Sequence, residues 1–176
     1  MRFVCKAARG RGSMAMALAL VVLACGCQRS GPAVPRPGSG QTPAATDTPP
    51  PGAESANGAA SVVHAYYRAI DERRYSDAYR LWESDGAASG KSLEAFRDGF
   101  RGTASVAVVV GTPGRIDGAA GSRYIEIPVR ITAVTTDGAH QAFAGAYTLR
   151  RSVVDGATSE QRAWRIHSAT IRREGR

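Results

Sequence analysis

Cysteine is scarce and confined to one end of the chain: Cys5, Cys25 and Cys27 are the three in 176 residues. With none after Cys27, the folded part can form no disulfide and offers no thiolate metal site. Secreted domains often use disulfides; this one must rely on its core. Lysine is nearly missing: after Lys6 only Lys91 occurs, and arginine supplies the remaining positive charge. No acidic residue precedes Asp47. The formal charge is +8, and Arg2, Lys6, Arg9 and Arg11 account for half of it. The rest is spread, without a basic stripe and stacking aromatics, so no nucleic-acid partner is expected. His64, His140 and His167 are scattered, with no carboxylate or thiolate at ligand spacing. Neither a metal site nor a cofactor is expected from them. There is no G-x-S-x-G elbow and no P-loop. The apolar run at residues 14–23 is too short for a membrane-spanning helix, which needs about 20 residues.

What is present falls into three parts: 1–24, 25–58 and 59–176. The first has a basic start, an apolar middle and small residues before a cysteine, the form of a secretory leader. In the second, seven prolines (Pro32, Pro35, Pro37, Pro43, Pro49, Pro50 and Pro51) sit among Gly, Ser, Thr and Ala. Too little apolar area is available there to offset chain entropy, so it reads as a tether reaching on the order of 30 Å.

The third part carries the folding information. Val63, Tyr66, Tyr67 and Ile70 fall at i, i+3, i+4 and i+7, and Tyr75, Ala78, Tyr79 and Trp82 repeat that spacing. Two helices sharing an aromatic face are predicted, the second capped by Ser76 with Asp77 behind it and ended by Asp85-Gly86. Ser92 caps a third, carrying Leu93, Phe96 and Phe100, with Gly102 as its stop. From Thr103 the period becomes two. Val106, Val108 and Val110 begin a strand; Ile125, Ile127, Val129, Ile131 and Ala133 make the clearest one. Asp137-Gly138 predicts a tight hairpin into a strand with Phe143, Tyr147 and Leu149, in which Gly145 marks a bulge or bend. Asp155-Gly156 turns again, and residues 162–171 form the last strand. Pro128 should sit at an edge or bulge, because proline cannot donate to a ladder. The expected fold class is α+β: about three helices on one face of a curved antiparallel sheet of about four strands.

Two resemblances follow from these residues. The junction Val21-Val22-Leu23-Ala24-Cys25-Gly26-Cys27 resembles the lipobox of bacterial lipoproteins. That implies cleavage of the leader and acylation of Cys25, with Cys27 as the alternative, so the membrane becomes a partner through a lipid anchor. Neither Gly26 nor Gln28 is aspartate, which by the family's sorting rule implies the outer membrane, facing the periplasm. The order of elements, with an aromatic first helix and a Tyr-Ser-Asp-Ala-Tyr segment opening the second, resembles the NTF2-like (cystatin-like) superfamily. There a bent sheet wraps the long helix into a cone, often with a pocket inside, and members range from isomerases and dehydratases to domains with no reaction.

An enzyme of that kind needs an acid or base inside the cone. Glu126 is the one acid within a predicted strand, and it lies opposite the isoleucine face, as an outward ion-pair partner. Asp117, Asp137 and Asp155 precede glycines and serve turns; Asp71 and Glu72 run into Arg73 and Arg74 as a solvated helix end. His64 reads as a helix-boundary or partly buried group, His140 as exposed by the hairpin. No catalytic residue is assigned. The aromatic set Tyr66, Tyr67, Tyr79 and Trp82, with Phe143, Tyr147 and Trp164, is either ordinary core or a ligand-lined pocket. The outer sheet face, with Tyr124, Arg130, Thr148, Arg150, Arg165 and His167, is the candidate surface for a protein partner or a second copy. The leading expectation is a membrane-anchored, non-catalytic binding domain; the alternative is a binder of a small apolar ligand, or an isomerase or dehydratase, using the cone interior.

Overall fold

The computed structural model describes residues 52–175. Cys25, Cys27, the leader and the tether up to residue 51 lie outside the described residues. Helix α1 (Ala56–Asp71) starts ahead of Ala59 because Ser55 caps it, its hydroxyl accepting from the Gly58 N–H at 3.1 Å. Its buried face holds Val63, Tyr66, Tyr67 and Ile70, the row that the spacing predicts. Helix α2 (Tyr75–Arg80) has Arg74, not Ser76, at the N-cap position. The Arg74 guanidinium bonds Asp77 at 2.8 Å and Glu72 at 2.5 Å, bracing the turn between the helices. Ser76 therefore lies inside the first turn. Helix α2 also stops well before Asp85-Gly86, because residues 81–83 leave it to pair with the sheet. Helix α3 (Leu93–Asp98) is capped by Ser92, whose Oγ accepts from the Ala95 N–H at 3.2 Å, and its C-cap is Gly99 rather than Gly102.

The sheet is antiparallel: β1 (Thr103–Val110), β2 (Asp117–Ala119), β3 (Ser122–Thr135), β4 (His140–Ser152) and β5 (Arg165–Arg173). The order is β1-β3-β4-β5, with β2 pairing the same strand β3. β2 is an addition to the expected strands, and it corrects the reading of Asp117, which faces Tyr124 across a ladder rather than serving a turn. The β2–β3 turn is Ala120-Gly121, both at positive φ (34° and 77°), a hairpin geometry that glycine favours and alanine tolerates poorly. A short helix, α4 (Ser159–Arg162), precedes β5, which begins at Arg165 rather than Arg162.

Along β3 the side chains alternate as predicted, with Ile125, Ile127, Val129 and Ile131 at 5% exposure or less. Those residues meet Tyr147, Leu149, Trp164 and Ile166 beneath α1, and each large apolar side chain buried this way contributes about 1.5–3 kcal/mol. Pro128 is paired in register with Ala146 of β4, yet its nitrogen faces the opposite side. Its carbonyl accepts from the Gly111 N–H at 2.8 Å, and a strand residue directs both backbone groups the same way. The missing donor thus falls in the gap between β1 and β2, a local edge, and no β3–β4 bond is lost. Gly145 is not a bulge. The ladder runs through it, and the irregularity lies at Thr148/Leu149, opposite Ser168 and Ile166, which leaves His167 as the extra residue.

Candidate functional site

The interior is built from rings. Tyr66 sits edge-on to Tyr67 (centroids 5.1 Å), Tyr147 (5.8 Å) and Trp82 (6.1 Å), and Tyr67 and Trp82 each meet Tyr147 in turn. Such pairs contribute about 0.5–1.5 kcal/mol each beyond their buried area. The Tyr67 and Tyr147 hydroxyls share a hydrogen bond at 2.7 Å. Burial is the main cause lifting all three phenols, Tyr66, Tyr67 and Tyr147, above the usual tyrosine range. Trp164 is buried under the Arg151 guanidinium, which lies 5.6 Å from its ring and bonds Glu54 at 2.9 Å. Tyr79 is half-buried, its hydroxyl donating to the Lys91 carbonyl at 2.7 Å, and Phe143 is half-buried at the rim of the core. The seven candidate pocket residues thus divide into five buried rings and two at the margin. Among the described residues the indole N–H of Trp164 is buried without a hydrogen-bond partner, and that of Trp82 makes no bond of regular geometry, the Tyr66 hydroxyl being the acceptor nearest its reach.

On the outer face, Tyr124, Arg150 and His167 are brought together by neighbouring strands. The Tyr124 and His167 rings stand edge to face at 5.6 Å, and the Arg150 guanidinium lies 5.9 Å from the Tyr124 centroid. Glu83 joins them. One of its carboxylate oxygens accepts from Arg150 at 2.6 Å and the other meets His167 Nδ1 at 2.5 Å. Arg150 also donates twice to the buried Ser122 Oγ, at 2.7 and 3.0 Å. The Glu83 hydrogen bond holds the Arg150 pKa above its usual value.

Glu83 reaches this place because residues 81–83 extend the sheet beside β5. Ile166 N–H donates to the Leu81 carbonyl at 2.8 Å, and Glu83 N–H donates to the Ile166 carbonyl at 2.9 Å. Trp82 then faces the core and Glu83 the outside. The other proposed surface residues stand apart from this network. Arg165 meets Glu160 at 3.4 Å, Thr148 lies opposite Glu126, and Arg130 is exposed opposite Ala144. Glu126 is exposed and makes no ion pair among the described residues, so its expected partner is not found. His64 is exposed in the middle of α1 rather than at a boundary, and His140 is exposed as expected. No group of acids, histidines and cysteines among the described residues could hold a metal ion.

Chemically the cluster fixes an imidazole. With Nδ1 committed to the carboxylate, Nε2 is the ring nitrogen free to meet another molecule, on a side chain that is 45% exposed. Glu83→Ala should strand Arg150 and His167 together. We expect a loss of about 2 kcal/mol in urea unfolding, the scale of a charged hydrogen bond with a shielded partner. A change below about 0.5 kcal/mol would mean that the network organises nothing.

No protein-family model matches the chain, and no curated protein matches it in sequence. Among solved structures, a Novosphingobium aromaticivorans protein provisionally named an aromatic ring hydroxylase superposes with a TM-score of 0.50 at 16% identity. The match covers 67% of this chain and 87% of that one. The two share an α+β fold. A Salmonella enterica NTF2-like superfamily protein aligns over 69% of this chain and 92% of its own, at 14% identity and TM-score 0.43. Aln2 from a Streptomyces species aligns over 65% and 86%, at 15% identity and TM-score 0.39. At such identities the likeness is one of fold, and one fold carries many functions.

Proposed function

We propose that this chain is a lipid-anchored envelope protein, held by Cys25 (or Cys27) to the outer membrane, whose NTF2-like domain binds a protein partner without catalysing a reaction. The observation that carries the reading is the network of Glu83, His167, Arg150, Tyr124 and Ser122. It presents an oriented imidazole, an aromatic edge and a braced guanidinium on an open sheet face, groups that suit a partner's polar surface. The interior rings, in mutual contact, occupy the space that a guest would need. The alternative, an apolar-ligand binder or an isomerase or dehydratase inside the cone, draws on the buried Trp164 indole N–H, which has no partner among the described residues, and takes second place for that reason.

Two measurements test the parts separately. Radiolabelled palmitate should enter the wild-type protein, and a Cys25→Ala/Cys27→Ala variant should lose the label entirely. Retained label would remove the anchor from the proposal. A photoreactive side chain at the exposed Ser168, beside His167, should give a discrete adduct in cells, absent when placed at Leu93 on α3. Adding His167→Ala should abolish it. Equal adducts at 168 and 93, or none at either, would remove the partner surface.

A further inference from the structure

Among the described residues nothing pairs with the outer edge of β1 over its second half, and its donors can be counted. Gly111 N–H bonds the Pro128 carbonyl at 2.8 Å, and Val106 N–H bonds the Asp71 carboxylate at 2.9 Å on the other side. In an antiparallel ladder the backbone groups alternate in direction. Ala107 and Val109 therefore bond β3, while Val106, Val108 and Val110 point away from it. Asp71 satisfies Val106. The N–H groups of Val108 and Val110 have no partner among the described residues. Between them Val109 projects from the outer face at 69% exposure, the most exposed of the large hydrophobic side chains that stand out. Residues 102–114 carry no charge, and no proline occurs in 102–112. Natural edge strands usually carry a charge, a proline or a bulge to prevent pairing; from Ser105 to Val110 this one has none.

We infer that the β1 edge is a self-association site, at which two copies of this chain pair β1 to β1 in antiparallel register about Val109. The two-fold axis passes between the two Val109 residues. Val108 of each copy then lies opposite Val110 of the other, so that four donors and four acceptors without a partner among the described residues bond each other. Val109 meets its twin as a non-hydrogen-bonded pair, the closer kind of cross-strand contact. Charge selects a second copy as the occupant. Self-pairing about a two-fold axis sets like residues near one another, which a charged strand resists and this uncharged one does not. The ladder also ends where it must, since the next donor along, Val106 N–H, is already held by Asp71. The proposal stands apart from the partner surface at His167 and does not depend on the lipid anchor.

The test uses the full chain with Cys5→Ser, Cys25→Ser and Cys27→Ser, so that one introduced thiol is the sole one and lipidation plays no part. Val109→Cys should form a disulfide-linked dimer under mild oxidant, because non-hydrogen-bonded partners stand about 4.5 Å apart at Cα, within disulfide reach. Ala107→Cys is also exposed, on the same face, but lies opposite Gly111 in this register. It should stay monomeric. Val108→Pro, added to Val109→Cys, removes an edge donor that the monomer does not use, and should abolish the dimer. Val109→Cys linking no better than Ala107→Cys would overturn the proposal, whether the edge is free or takes another protein's strand. So would a dimer that persists in the proline variant.

Discussion

Gly145→Ala is expected to destabilise the domain by about 3–5 kcal/mol, placing it among the severe single substitutions. A Cβ at this position would lie 1.9 Å from the Thr170 carbonyl oxygen and 2.9 Å from the Ile171 Cα. Both atoms belong to the backbone of β5, so no rotamer change can relieve the clash. The neighbouring strand must move, and the ladder that seats Ile166 in the core moves with it. Gly102→Ala is the control, since nothing lies within 4 Å of where its methyl group would stand and its φ is ordinary. It should change stability by less than about 0.5 kcal/mol. Urea unfolding of both variants decides the matter, and similar midpoints would show that β5 yields more readily than a packed strand should.

The glycine illustrates what periodicity can and cannot convey. Alternation in β3 placed the isoleucine row inside and Tyr124 outside, because a half-buried strand imposes a period of two on its own sequence. The aromatic face of α1 was legible for the same reason at 3.6. Gly145 stood out as an anomaly within a strand pattern, but its cause did not. It permits the close approach of a strand some 25 residues later in sequence, at Thr170 and Ile171. The two short elements escaped for lack of length: β2 has three residues and turns on Ala120-Gly121, which carries none of the usual Asn-Gly or Asp-Gly signal. Helix α4 has four, although its Thr158 to Gln161 capping box was visible in the sequence.

The candidate site divides along the same line. Tyr124, Arg150 and His167 share a face that strand alternation predicts. Glu83, which binds two of them together, follows a helix and carries no periodic signal at all. Its place depends on residues 81–83 pairing with Ile166, a contact spanning more than 80 residues of chain. Local pattern assigns side chains to faces; only the closed topology brings a loop carboxylate to an imidazole. The same holds for the β1 edge, where the valine run reads as an ordinary strand until its hydrogen bonds are assigned by direction.

Raising the pH should unfold the domain steeply above about pH 10, and three tyrosines set the slope. Tyr66, Tyr67 and Tyr147 have their pKa values raised in the folded state, chiefly because burial penalises the phenolate. Below the unfolded-state value of about 10 the phenols are neutral in both states and stability is unaffected. Above it the unfolded chain releases three protons that the folded chain retains, so stability falls as pH rises and is lost on the way to the folded-state values. Each phenol contributes about 1.4 kcal/mol per pH unit, hence about 4 kcal/mol per unit together. Against a total of about 5–15 kcal/mol, unfolding should be complete within a few units. Tyr67→Phe alone should cost about 1–3 kcal/mol at neutral pH, because it leaves the Tyr147 hydroxyl without the partner it holds at 2.7 Å. Tyr67→Phe with Tyr147→Phe removes both ends of that bond. It should be nearly neutral at pH 7 and should reduce the alkaline slope to about a third. Chemical denaturation across this range, with tyrosinate absorbance recorded alongside, measures both quantities. A slope unchanged in the double variant would place the titrating groups elsewhere and would deny the ring cluster its role as the dry centre of the fold.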